Sequence, residues 1–191
     1  MKGGWFKSYT IVYLVFLYAP ILLLPLFAFN NATLGAFPLE GFTTKWFGQL
    51  WTEPALHKAL KNSLIIAVSS AVISTMLGIF AARASTRYRF PFKAPLMGLI
   101  TLPLVLPEVI VAVALLAVLL GLGVSLSIFT VILGHVLVCT PFAIAILSSA
   151  FQSLDQSLEE ASYDLGESAV STFRLIILPL VMPGIISALL I

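Results

Sequence analysis

Three sets of residues in this chain have types and spacings that could carry chemistry. The first is a lone carboxylate, Glu108, set directly after Pro107 within a long apolar run. The second is His135 with Cys139, four positions on and so on the same face of a helix. The third is SLEEASYDLG, residues 157–166, which with Asp155 and Glu167 gathers five of the eight acidic residues. An ionisable group inside an apolar run costs about 2.5–3.5 kcal/mol on insertion scales, so Glu108 is expected to face protein or water. Two readings stay open for it: it lines a path for a cationic solute, or it anchors a helix that restarts after Pro107. For His135 and Cys139 a thiolate–imidazole pair is the reading to reject, because a reactive thiol needs a solvated, electropositive setting. A histidine hydrogen-bonded inside a helix bundle is expected instead, with Glu108 as a conceivable partner.

The acidic segment has its own local logic. Ser157-Leu158-Glu159-Glu160 has the form of a capping box, in which Ser157 would cap a short helix and Glu160 would reach back to it. Its acids fall in the first turn, where the helix dipole favours them. Leu158, Ala161, Ser162 and Leu165 recur at helical spacing and form a narrow apolar stripe with charged edges. Gly166 is placed to stop this helix in a left-handed turn, and Ser168 can cap a second helix running through Phe173 and Arg174. A helix–glycine–helix elbow of this kind suits docking to a cytoplasmic partner. The alternative is an amphipathic connector on the lipid surface, which acidic residues disfavour beside anionic lipid.

The elements that must position these groups are apolar. The chain has 191 residues, 60% hydrophobic and 9% charged, against about a quarter charged in soluble domains. A bilayer core of about 30 Å takes about 20 residues of helix. Residues 9–29, 62–82, 94–120 and 128–150 meet that length, and a further apolar run begins near Leu175. The expectation is therefore an all-α polytopic transmembrane helix bundle of about five crossings, the last one truncated. The first run exceeds a signal-peptide core and lacks a small-residue cleavage site, so it reads as a retained helix. Lys2, Lys7, Arg83, Arg87, Arg89, Lys93 and Arg174 fall on one side of these crossings, Lys45, Lys58 and Lys61 on the other. The positive-inside rule then puts the N-terminus, and with it the acidic elbow, in the cytoplasm. Trp46, Phe47, Trp51 and Phe42 in the external segment read as interfacial aromatics, or as part of a surface that meets an external protein. One cysteine excludes an internal disulfide, no Cys/His spacing suits a metal, and no basic patch suits nucleic acid.

Glu160-Ala161-Ser162, then Gly166, then nine residues to Ile176-Ile177-Leu178-Pro179, resembles the E-A-A-x-x-x-G-x(9)-I-x-L-P signature of permease subunits of binding-protein-dependent ABC importers. Ser162 in place of the second alanine is the one departure, and it keeps the stripe small. The resemblance runs from about Asn62 to the last residue. Leu106-Pro107-Glu108-Val109, Gly134-His135 through Thr140-Pro141-Phe142, and Gly41-Phe42-Thr43-Thr44-Lys45-Trp46-Phe47 are similar to the polyamine (spermidine/putrescine) branch. The resemblance implies an inner-membrane bundle of the ABC importer permease type in a bacterium. It implies as partners a dimer of ATPase subunits, a second permease, an external solute-binding protein and membrane lipid. The elbow would seat in the ATPase, with Ser157, Leu158, Glu160, Ala161, Ser162, Leu165 and Gly166 as coupling residues. Glu108 and His135 would border the translocation path. Residues 1–61 would hold the first helix and external segment, and 62–191 an incomplete permease core with its elbow at 153–174.

The sequence lacks a phosphate-binding G-x-x-x-x-G-K-[ST] loop, so it is expected to be a transport subunit and not an enzyme, with no cofactor of its own. The competing class is a secondary transporter or channel subunit that needs no ATPase.

Overall fold

The computed structural model describes residues 3–191, so Lys2 of the positive-inside count lies outside the described residues. Among the described residues the chain is helical apart from its connections. It forms α1 (Gly3–Ala28), α2 (Lys45–Leu50), α3 (Pro54–Arg87), α4 (Lys93–Thr101), α5 (Glu108–Gly121), α6 (Ile128–Gln152), α7 (Ser157–Asp164), α8 (Ala169–Thr172) and α9 (Leu178–Leu189). One isolated bridge, Asn30 with Phe42, is its only β pairing among these residues. Four helical stretches are long and apolar enough to cross a membrane, or five if a bent pair counts as one span.

Two compact units are formed, Met1–Leu60 and Lys61–Ile191. In the first, α1 is an apolar rod of 26 residues that carries Pro20 and Pro25. The loop after it folds around Asn30, which is fully buried. The Asn30 side-chain oxygen accepts from the Glu40 N–H at 3.0 Å, and its carbonyl accepts the Trp46 indole N–H at 2.7 Å. Lys45 lies 4.5 Å over the same indole ring. Trp46 therefore has a structural task, while Trp51 and Phe42 remain exposed.

The second unit has its core where α3, α6 and α9 meet. Ala143, Leu147 and Phe151 form a buried stripe of α6; Ile177, Val181, Ile185 and Ala188 lie opposite, and Ala82 of α3 joins them. This spacing of four, four and three or four keeps one side of each helix in contact. On α3 the buried positions are all small: Ser70, Ser74, Thr75, Gly78 and Ala82. Small residues let helices approach closely where lipid offers no hydrophobic drive for association. At Gly78 an added Cβ would stand 2.8 Å from the Ala143 Cβ, and at Gly184 it would stand 2.7 Å from the Ala150 Cβ.

The run 94–120, expected as one crossing by its length, is broken at Pro107, where a restarting helix was one of the two readings of Glu108. After α4 a short 3₁₀ turn, Leu102–Leu104, leads into Val105-Leu106-Pro107, and α5 leaves at 104° to the preceding helix. Pro107 supplies the reason. It stands at the N-cap of α5 with ψ 127°, has no N–H to continue the ladder, and its ring drives Leu106 out of the helical region. The last apolar stretch also departs from simple α-helix, because Phe173–Ile177 forms a π turn between α8 and α9.

Candidate functional site

The elbow is built as the residue order requires, with one correction at its start. Ser157 is the first residue of α7 and not its cap. The Asp155 carboxylate accepts the Ser157 N–H at 2.9 Å and so satisfies the first donor of the helix. That bond holds the Asp155 carboxyl below the usual carboxylate range. An aspartate two residues ahead forms this local turn readily, which leaves the expected Ser157–Glu160 box without a task. Glu160 makes no side-chain hydrogen bond or ion pair among the described residues and is exposed.

Gly166 stops α7 with φ +86°. The Gly166 N–H donates to the Tyr163 carbonyl at 2.9 Å and the Glu167 N–H to the Ser162 carbonyl at 3.1 Å, which is the full Schellman pattern. Ser168 then accepts the Ser171 N–H at 3.2 Å and caps α8. The two arms are closed on each other by a bond the sequence did not disclose. Ser162 Oγ and Thr172 Oγ1 lie 2.9 Å apart, both buried. An alanine at position 162 could not make this bond, so the departure from the signature has a physical role here. Of the expected apolar stripe, Ser162 turns inward to this bond, whereas Leu158, Ala161 and Leu165 are exposed. Leu165 is 86% exposed and Val170 77%, which leaves an apolar tip on either side of the turn.

Behind the elbow stands a cluster that sequence reasoning also missed. Glu159, not Glu160, is the engaged acid: its two oxygens receive Arg83 Nη1 at 2.7 Å and Nη2 at 2.5 Å. Arg87 Nε lies 3.2 Å from the same carboxylate. The Arg83 hydrogen bonds hold the Glu159 carboxyl below its usual range, against the opposing effect of burial. The signal was present as two arginines four apart at a helix end, but their partner lies 76 positions away.

Glu108, His135 and Cys139 share a groove, but the conceivable Glu108–His135 hydrogen bond is not formed, because His135 bonds within its own helix. All three line one groove of about 440 Å³ between α5 and α6, whose walls are otherwise mostly apolar and include Val111, Leu115 and Leu119. Glu108 is the first residue of α5, so helix start and groove lining are the same position. The His135 Nδ1–H donates to the Val131 carbonyl at 2.9 Å, which leaves Nε2 as an acceptor in the neutral ring. His135 and Cys139 also border a second cavity of about 250 Å³ with Ser70 and Ser74. Ser74 is 2% exposed and its hydroxyl has no hydrogen-bond partner. A carboxylate beside apolar walls suits a cationic group carried on an alkyl chain. Among the described residues no cluster of His, Cys, Asp and Glu could hold a metal ion.

Comparison with known proteins gives this geometry a context. Residues 74–191 match the family described as "Binding-protein-dependent transport system inner membrane component". The chain is 35% identical over 185 residues to the spermidine/putrescine transport system permease protein PotC of Escherichia coli (strain K12), covering 97% of this chain and 68% of that protein. It is 34% identical over 194 residues to the putrescine transport system permease protein PotI of the same strain, covering 98% and 69%. To the PotC protein of Haemophilus influenzae it is 33% identical over 181 residues, covering 95% and 70%. With its bundle of apolar helices and this match, the chain belongs to the inner-membrane components of binding-protein-dependent transport systems and is a multi-pass transport permease.

Proposed function

We propose that this permease imports polyamines, spermidine or putrescine, and that ATP-hydrolysing subunits drive it through the elbow at residues 157–166. The observation that carries the reading is the elbow itself. A Schellman turn at Gly166 and the buried Ser162–Thr172 bond fix its shape, while Leu158, Ala161 and Leu165 stay exposed. Outward apolar side chains on a rigid turn are an unfilled contact surface, and the adjacent acids keep it from sinking into anionic lipid. The substrate class is supported by the names of the relatives and by Glu108 beside an apolar groove.

In this scheme the N-terminus is cytoplasmic, and residues 62–191 act as the permease core. A second permease completes the path, and an external solute-binding protein delivers the cation. Closure of two ATPase subunits pulls the elbow. The pull passes through α8 and the π turn into α9, whose contact with α6 carries it to the groove. Glu108 balances one ammonium, the leucine and valine walls of the groove contact the methylenes, and the His135 Nε2 offers an acceptor for a second ammonium.

The test is uptake of labelled spermidine into vesicles holding the assembled transporter. The expected result is uptake that needs enclosed ATP and external binding protein, is competed by putrescine, and survives collapse of ion gradients. Ion-driven uptake by this chain alone would overturn the proposal.

A further inference from the structure

α3 has no covalent neighbour in the elbow, yet it is bonded to it. Arg83 holds both oxygens of Glu159, and Arg87 lies against the same carboxylate. Arg87 also donates through Nη2 to the carbonyls of Phe151 at 3.3 Å and Leu154 at 3.2 Å, where α6 ends. The Arg83 guanidinium stands 6.0 Å from the ring centre of Phe151, a fully buried core residue. The side chains are only 14%, 10% and 12% exposed for Arg83, Arg87 and Glu159. The carboxylate thus joins the start of α7 to the end of α3 through Arg83, while Arg87, ion-paired to it through Nε but hydrogen-bonded only through Nη2, joins α3 to the end of α6.

The covalent links at both ends of α7 are not helical. Residues 153–156, between α6 and α7, form turn and bend and no helix. The other arm reverses at Gly166 before it reaches α8. A force on the elbow therefore reaches α9 along the chain; Gln156, Glu160 and Tyr163 also border the end of α3, but among the described residues Glu159 makes the ion pairs that join the two.

We propose that Arg83 and Arg87 are positioning residues for transport: they clamp Glu159 so that α7 and the cytoplasmic ends of α3 and α6 move as one body when the elbow is displaced. The chemistry favours this role over mere adhesion. A shielded ion pair adds little net stability compared with apolar packing, but a two-point arginine fork fixes orientation. This inference rests on the reading of residues 157–166 as the elbow that a motor subunit holds.

The experiment compares Glu159→Gln, Arg83→Gln and the double variant in the assembled transporter, with Glu159→Asp and Arg83→Lys as conservative controls. Uptake and ATP hydrolysis are measured together in vesicles, alongside copurification of the ATPase and crosslinking of it from position 165. The clamp requires that each Gln variant copurifies and hydrolyses ATP within about twofold of the parent, while solute moved per ATP falls about tenfold. The double variant should be no worse than either single, and Glu159→Asp should retain most of the yield. An unchanged yield in Glu159→Gln with the crosslink intact would overturn the clamp alone. Parallel loss of copurification, hydrolysis and uptake would also overturn it, by reducing the pair to a folding contact. Absence of the crosslink in the parent protein would instead overturn the elbow reading beneath it.

Discussion

Replacement of Gly166 separates backbone shape from side-chain contact at the elbow. The residue has φ +86°, and no atom outside its neighbours lies within 4 Å of where a Cβ would stand. A clash therefore contributes nothing, and the cost is conformational. An L-residue pays about 1–2 kcal/mol in the left-handed region, less for asparagine. At about 1.4 kcal/mol per factor of ten, that shifts the turn about five- to thirty-fold toward other conformations. The two Schellman bonds, from Glu167 to Ser162 and from Gly166 to Tyr163, depend on this turn. Vesicles containing the full transporter should show solute moved per ATP in the order Gly166, Gly166→Asn, and then Gly166→Ala and Gly166→Leu together at the bottom. Membrane level and ATPase copurification should stay unchanged throughout. Wild-type yield from both Gly166→Ala and Gly166→Leu would refute the reasoning. So would a Gly166→Asn variant as damaged as Gly166→Leu, since that would make φ irrelevant.

Other consequences follow from the same geometry. Gly78→Ala and Gly184→Ala force contacts of 2.8 and 2.7 Å, so each should lower stability in detergent melts by about 1–3 kcal/mol. Gly98→Ala meets nothing within 4 Å and should be close to neutral; equal melts for all three would contradict the packing. Glu108→Gln should raise the KM for spermidine about tenfold or more with ATP coupling intact, and an unchanged KM would remove Glu108 from the path. The Glu159 carboxyl is held below its ordinary value by Arg83, so its contribution is complete above the ordinary carboxylate pKa and is lost as pH falls through the depressed one. Mobility of a spin label on α7 should therefore stay constant from about pH 5.5 to 8 and rise only below about pH 4. A rise near neutrality would point to a different partner for Glu159.

The parts of the fold that could be read in advance were local. Run lengths located the apolar helices, and Gly166 and Ser168 marked the two sides of the elbow because turn and cap geometry depend on a few adjacent residues. Pro107 signalled a break, but not that α5 would leave at 104°, because that angle is set by packing around the kink. The choice between Glu159 and Glu160 was hidden for a similar reason. Both lie in the first turn of α7, and only the position of α3, 76 residues earlier, decides which one meets an arginine. Ser162 read as a small-residue substitution until Thr172 stood 2.9 Å away. The Glu108–His135–Cys139 groove was half legible: helical spacing paired His135 with Cys139, but the approach of α5 to α6 is tertiary.

The measurement closest to the central claim is site-specific photocrosslinking from position 165 in intact cells. Leu165 is 86% exposed at the tip of the elbow. The account predicts one dominant adduct with the ATP-hydrolysing subunit, formed on the cytoplasmic side and weakened in Gly166→Leu. An adduct with lipid alone, or with the external binding protein, would contradict it.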